Sequence, residues 1–351
     1  MTSPRRLLTA VLLATVLPAA VLPVRADMVD DIDVARVALP DRSEASLAAA
    51  RREGMRQVLV KLSGTRETLK ETSIAQALRE AQRYLVGYSY EAGDVPGSPT
   101  VRLQYDGDAL RALLREAGQP LWTTNRPTVL AWLIGSDGAR RRFASPEAAP
   151  ALRDALGEAF ARRGVPLQQP LYDLEDADKL SPGAAWRQSS SALAAASARY
   201  RDTEVLAGRV ALLSDGHWIG DWRFLDRGRW LVRPVTAGSM AAFVEEGADL
   251  AATALAARYA VAGDTSSELR FSILVEGIQA YAQYSNLQSA LAAIEVIDRV
   301  IPERVTPQQV LLRVESAAQQ QQLERIIALD ARFVPVSGAV TDGQLHYRWE
   351  E

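Results

Sequence analysis

Residues 205–232 read VLAGRVALLSDGHWIGDWRFLDRGRWLV and carry the clearest local signal in the chain. Ser214-Asp215-Gly216-His217 supplies the residues that a tight hairpin uses at positive φ. Asp226-Arg227-Gly228 offers a second turn. The runs 205–213 and 218–225, with a third strand carrying Trp230 and Val232, therefore predict a three-stranded antiparallel meander. Trp218, Trp222 and Phe224 share one strand face by period two, and Trp230 lies across the turn. Packing of that face against a following helix is the expected use of these rings. The other use is a ligand or partner surface formed by Trp218, Trp222, Trp230 and His217. Arg209, Asp221 and Arg223 fall on the opposite face, where cross-strand ion pairs are expected.

The helix that follows is capped by Ser239 and carries Phe243, Leu250 and Ala254 on one face. Gly247 lies on the same face. It lowers helix propensity by about 1 kcal/mol against Ala, but it lets the helix backbone approach the sheet. Upstream, residues 129–134 form a nearly continuous apolar strand, the mark of burial on both faces. Pro150 starts a helix that Gly164 closes, an acidic loop is expected at 172–182, and another helix ends near Tyr200. This middle unit, 124–261, is α+β. The segment 27–123 reads as a second α+β unit. It has a helix after Asp41-Arg42-Ser43 with Met55, Val58, Leu59 and Leu62 in register, a helix with Ile74 and Leu78, a strand with Val101, Leu103 and Tyr105, and a helix capped by Asp106. Breakers mark a loop at 93–99, and residues 262–267 read as a linker. In 262–351 the order is β-α-β-β-α-β, the ferredoxin-like split pattern, with Ser285 and Ser316 as expected helix caps. An extra strand with Leu345, Tyr347 and Trp349 follows the Asp342-Gly343 turn. The fold expected is α+β, with three small domains in series and a ferredoxin-like last domain.

The first 26 residues, MTSPRRLLTAVLLATVLPAAVLPVRA, place Arg5 and Arg6 before an uncharged apolar run and end on Val24-Arg25-Ala26. That is the layout of a secretory signal peptide, with cleavage expected after Ala26 and export to the periplasm. Its removal takes the formal charge of the 351-residue chain from −3 to −6. A mildly acidic exported chain has no footprint for nucleic acid. No later run is long and apolar enough to span a bilayer, so no membrane span is expected after cleavage. The chain has no cysteine, which excludes a lipid-modified cysteine, a thiol nucleophile and a thiolate metal site. Only His217 and His346 remain as histidines, and no nucleophile elbow, dinucleotide loop or phosphate loop occurs. No catalytic, cofactor or metal residue is assigned, and no cofactor is expected. Asp173, Glu175, Asp176 and Asp178 lack the spacing of a calcium loop and read as solvated.

Several stretches resemble one family. They are Ala48–Arg51 leading to Gln57-Val58-Leu59-Val60-Lys61-Leu62-Ser63-Gly64, then Arg126-Pro127 before the apolar strand, and Ala198-Arg199-Tyr200 before 205–210. Leu255-Ala256-Ala257-Arg258-Tyr259-Ala260 and Val275-Glu276-Gly277-Ile278 complete the set. Together they are similar to a proteobacterial exported envelope family catalogued only as a domain of unknown function (DUF2066-like). The resemblance implies a Gram-negative, exported, multi-domain α+β protein and brings no activity with it. The function expected is a soluble periplasmic accessory protein that acts by protein–protein contact with envelope proteins. The alternative is a periplasmic ligand-binding protein or hydrolase for a wall-derived or carbohydrate substrate. Whether the chain is an enzyme is left open by its residues.

Overall fold

The computed structural model describes residues 26–29, 31–92, 99–136, 138, 140–200, 203–262, 269–336 and 344–350. Among these are ten α-helices and three sheets, a mixed α+β fold. The expected signal segment up to residue 25, the 93–98 loop, the linker from 263 and the 342–343 turn lie outside the described residues.

Strand β1 (Ala26–Met28) pairs antiparallel with residues 125–127, so it joins the central sheet and not the unit that follows it in sequence. The backbone groups at that sheet edge require a partner, and β1 supplies it. Next come β2 (Val34–Ala38) and α1 (Glu44–Ser63), whose N-terminus is capped by Ser43 Oγ accepting from Ser46 N–H at 3.2 Å. The chain continues through α2 (Thr72–Arg79), β3 (Leu85–Glu91), β4 (Thr100–Tyr105) and α3 (Gly107–Glu116). The strands form an antiparallel sheet of order β2-β4-β3. Met55, Val58, Leu59 and Leu62 pack from α1 onto Val101, Leu103 and Tyr105, with Ile74, Leu78, Leu110 and Leu114 closing that cluster.

The central sheet is built on β5 (Asn125–Ser136), in which 126–134 are buried without a break. Helices on both faces account for this. One face carries α4 (Pro150–Arg163) and α8 (Met240–Tyr259); the other carries α5 (Leu174–Lys179), α6 (Pro182–Trp186) and α7 (Ser190–Ser197). The expected acidic loop is thus two short helices. Asp173 Oδ1 accepts from Asp176 N–H, and Ser181 Oγ accepts from Ala184 N–H. One edge of β5 pairs in parallel with β8 (Thr203–Leu212), followed by the meander strands β9 (Trp218–Asp226) and β10 (Arg229–Ala237). The other edge is covered in turn by β1, β7 (Leu167–Gln168) and β6 (Arg141–Phe143).

The third sheet contains β11 (Leu269–Glu276), β12 (Ile297–Val305), β13 (Gln309–Ser316), β14 (Phe333–Pro335) and β15 (Gln344–Trp349), in the order β12-β13-β11-β15-β14. Helices α9 (Tyr281–Ala292) and α10 (Gln320–Ile327) cover one side. The split pattern would set β14 beside β11. Instead β15 lies there, parallel to β11, and displaces β14 to the edge. Two expected caps also move. Gln283 Oε1 accepts from Gln279 and Ala280 N–H, which starts α9 four residues before Ser285, and Gln322 Oε1 accepts from Gln319 N–H at the start of α10. Ser316 instead ends β13, its hydroxyl donating to Val296 O.

The N-terminal helix meets the central sheet at Arg126, which is fully buried. Its guanidinium donates to Lys61 O at 2.7 Å, Gly164 O at 2.7 Å, Thr123 O at 2.8 Å and Trp122 O at 3.2 Å, and it stacks on the Trp122 ring at 3.9 Å. Lys61 O and Gly164 O lie at the carboxyl ends of α1 and α4. There unpaired carbonyls and the helix dipole favour a cation. Arg126 pairs with no carboxylate among the described residues. Burial pulls its pKa down to about 9, with Glu295 acting in the opposite sense, so it is charged at neutral pH. Lys61 lies beside it, buried, its Nζ donating to Val34 O at 2.7 Å. Arg163 completes the junction, with Nε 2.8 Å from Asp249 Oδ1 and Nη2 donating to Gly64 O.

Two outcomes follow from this junction. Arg126→Met leaves several buried carbonyls without donors and should lower stability by about 3 kcal/mol or more, read from the urea midpoint. Arg126→Lys should recover little of that, because one ammonium cannot reproduce the planar fork. Burial, with Arg126 and Arg36 adding positive charge, holds the Lys61 amine down at about 8 against its ordinary 10.5. Between those values the unfolded chain binds the extra proton, so this residue's contribution to stability rises with pH. The wild type should therefore gain on Lys61→Met by roughly 1 kcal/mol per pH unit from about pH 8 to 10, measured by urea unfolding of both proteins.

Candidate functional site

The register of the meander separates the predicted tryptophans. Trp222 pairs with Gly208 on β8 and Arg233 on β10, and it is fully buried under α8. Its Nε1–H donates to Phe243 O at 2.9 Å, and its ring lies 5.4 Å from the Phe243 ring. It fills a gap that two glycines leave. A Cβ on Gly208 would sit 2.3 Å from the ring, and one on Gly247 would sit 2.5 Å from it. Trp222 is a core residue. Trp230 opposes Leu225 and so points to the other face, where it packs on the α5–α7 side with Arg223 over it at 5.8 Å. His217 is exposed in the turn, its N–H donating to Asp215 Oδ1 at 3.0 Å. Of the three tryptophans, only Trp218 is half-buried at the margin of the α8-side core. The expected ion pair forms between Arg209 Nε and Asp221 Oδ2 at 2.8 Å, whereas Arg223 donates to Gln188 O.

Trp218 lines a cleft of about 620 Å³, within the range of ligand sites. Its place follows from the topology. Strands β5, β8 and β10 run in one direction, and α4 and α8 begin beyond their carboxyl ends on the same sheet face. Crevices at such strand ends are where open α/β sheets bind ligands. The floor is Gly135, Val210, Leu212 and Trp218, and the helix side is walled by Leu152 and Met240. Gly135 has no side chain to fill the floor; a Cβ there would meet only Leu152 and Arg142 O, at 3.8 and 3.9 Å. Arg140 and Arg142 supply positive charge, as does the start of α4, where Pro150 follows an N-cap with no side-chain bond. Arg142 is exposed and makes no ion pair among the described residues. No carboxylate and no histidine lines the cleft among the described residues.

Two further clefts flank α1 and differ in charge. One of about 360 Å³ holds Arg66, Arg163 and Asp249 as one ion network, with Arg162 on Glu245 at 3.0 Å. The other, of about 640 Å³, mixes Lys61, Arg36 and Arg162 with Asp31, Glu91 and Glu158. In both, positive charge meets its counter-charge within the lining. No group of three or more His, Asp or Glu able to hold a metal ion occurs among the described residues, and no described helix is long and apolar enough to cross a membrane.

The sequence reading missed the buried polar residues. Asp176, expected in solvent, is 2 % exposed and accepts from Tyr200 Oη at 2.6 Å and Tyr172 N–H at 2.8 Å. Arg199 bridges it to Asp173, at 3.3 and 2.7 Å. The signal for this was a Tyr-Asp-x-x-Asp run facing Arg199-Tyr200. His346 Nε2 lies 2.9 Å from Glu276 Oε1, which sits two residues beyond the Leu274 that pairs with His346 across β11 and β15.

A family described as Domain of unknown function (DUF8605) matches residues 26–123. The match supports an uncharacterised domain over these residues; it is not the DUF2066-like family of the resemblance, and it carries no proteobacterial origin. No curated protein sequence matches the chain. A solved structure titled "Crystal structure of uncharacterized protein" is similar at 13% identity over 37% of this chain and 90% of that one, with a TM-score of 0.18. At that score it carries no argument about fold or function.

The fit of Trp222 between two glycines is testable. Gly247→Ala should improve helix propensity yet lower stability by about 1–3 kcal/mol, because the ring has nowhere to move in a packed core. A higher melting temperature for Gly247→Ala would contradict the packing described.

Proposed function

We propose that this protein is an exported envelope accessory protein that acts by binding another protein, and that the cleft at the carboxyl ends of β5 and β8 receives the partner. Export is supported by the leader-like residues 1–26, and the Gram-negative setting by the DUF2066-like motifs. In this reading the chain is three domains in series, the last a ferredoxin-like variant, and the mature protein is periplasmic and carries no lipid. The observation that carries the binding reading is the lining of the cleft. It combines apolar surface with positive charge and, among the described residues, holds no acid–base pair. Such a surface suits recognition rather than turnover. The alternative, a hydrolase or ligand-binding site on Trp218, Trp222 and Trp230, lacks a common surface for those rings.

The test has two parts. Mass analysis of the protein from the periplasmic fraction should give a chain beginning at Asp27; an uncleaved cytoplasmic chain would overturn the location. A photo-cross-linking amino acid in place of Leu213, which is exposed at the cleft, should capture a discrete polypeptide in intact cells. The same probe at Leu174, exposed on the α5 side, should not. Equal labelling at the two positions, or none at either, removes the cleft as the docking surface.

A further inference from the structure

We propose that the outer edge of β3 pairs with the same strand of a second copy of this chain, joining two three-stranded sheets across a two-fold axis at Ser89. The carrying observation is the contrast between β3 and the other sheet edges. An exposed strand edge invites pairing with another chain, and folded proteins guard it with proline, lysine or short length. Among the described residues, edge strand β10 carries Pro234, and β12 carries Pro302 beside a register shift. Strands β1, β6, β7 and β14 are only two or three residues long. The edge of β2 is blocked at Val34 O, which accepts from the Lys61 ammonium. Strand β3 is seven residues long and has no proline, lysine or arginine. It pairs with β4 alone among the described strands, and Val86, Tyr88 and Tyr90 are exposed on it.

Backbone directions fix the register. Tyr105 N–H donates to Asp33 O and Pro99 O accepts from Leu39 N–H, so the odd residues of β4 face β2. The even ones face β3, where they meet Gly87, Ser89 and Glu91. The N–H and C=O groups of Tyr88 and Tyr90 therefore point outward, and the bulge at Val86 ends the run on one side. One antiparallel register uses all four outward groups of each copy. It sets Tyr88 opposite Tyr90 of the second copy, and Tyr90 opposite its Tyr88, with four backbone hydrogen bonds. Ser89 then faces Ser89 at the axis, and Glu91 faces Gly87, so no like charges meet. The side chains agree with this register. Tyr88 and Tyr90 pair with Leu103 and Val101 and so stand on the α1 face, their rings 5.8 Å apart. Two copies place four such rings side by side, a favoured cross-strand arrangement. Arg51 and Arg42 border the row, over the Tyr88 and Tyr90 rings at 5.9 and 4.9 Å. An unrelated strand could supply the hydrogen bonds; the second copy also supplies the matching rings and a small residue at the axis.

The experiment uses the intact protein. One short strand and its rings make a small interface, so the dimer should be concentration-dependent. Sedimentation should show monomer at about 1 μM and dimer at about 200 μM. Tyr88→Lys with Tyr90→Lys should weaken association by about tenfold or more, because lysine guards an edge. Tyr88→Phe with Tyr90→Phe should stay within about threefold of wild type. The chain has no cysteine, so one introduced thiol reports contact between copies without background. In the proposed register the two Ser89 Cα atoms lie about 4.5 Å apart, within disulfide range. The two Glu91 Cα atoms lie about 13 Å apart, four strand residues, and outside it. Under mild oxidation Ser89→Cys should therefore form a disulfide dimer at least about tenfold faster than Glu91→Cys. Melting temperatures unchanged at about 1 μM establish that the monomers fold. A wild type that stays monomeric at about 200 μM overturns the inference. So does a dimer that the two lysines leave intact, which would use another surface. Cross-linking of Glu91→Cys as fast as Ser89→Cys also overturns it, since the register would be wrong.

Discussion

A single buried cation sets how this chain is assembled. The Arg126 guanidinium has no acidic partner among the described residues and is held instead by carbonyls at the ends of two helices and just before β5. A buried charge is tolerated only where its hydrogen bonds are complete. Here completion requires α1, α4 and the 122–126 segment to be in place together. The junction therefore works as a register mark: neither helix can slide along the sheet without stranding the guanidinium. It also fixes α4 in polarity. The carboxyl end of α4 is neutralised by Arg126 and Arg163, and its amino end is left to the cleft about 21 Å away, at 1.5 Å per residue over 14 residues. The site at one end of the helix depends on the cation at the other.

The local features of the fold were legible because they rest on local rules. Period-two alternation and two glycine turns gave the meander. Ser43, Asp106 and Ser239 gave helix starts, and Gly64 and Gly164, both left-handed, gave helix ends. Gly247 was readable as a close approach, and the ring it admits is Trp222. What escaped was set by distant partners. Trp230 could have been assigned to the other face by counting. Its turn leaves Asp226 opposite Arg229, which puts Trp230 against Leu225. The burial of Arg126 and Asp176 could not be counted in this way, since their partners lie far along the chain and charge in a sequence reads as surface. The cleft was half legible: Trp218 was singled out, but Arg142 and the start of α4 enter only once β6 and α4 are placed.

Four of the five stretches that carried the family resemblance share a physical role. Lys61, Arg126, Arg199 and Arg258 each come from one of them. Each is a cation whose charge is met inside the fold: Lys61 by Val34 O, Arg126 by helix ends, Arg199 by Asp173 and Asp176, and Arg258 by Glu204 and Asp226. Glu204 is itself pushed up in pKa by burial, which marks that pair as partly dry. These four stretches specify joints between elements and point to no reaction.

The placement of β15 bears on the order in which the chain acquires its structure. In the third sheet the strand latest in sequence is an interior one, seated between β11 and β14 and parallel to the first. During synthesis from the amino end, β11, β12 and β13 emerge well before it. Until residue 349 is available, β11 keeps one bare edge and β14 has no neighbour. That sheet is therefore completed in a single late step that joins its two ends, and for that interval an unpaired strand edge is open to holding factors or to a neighbouring chain.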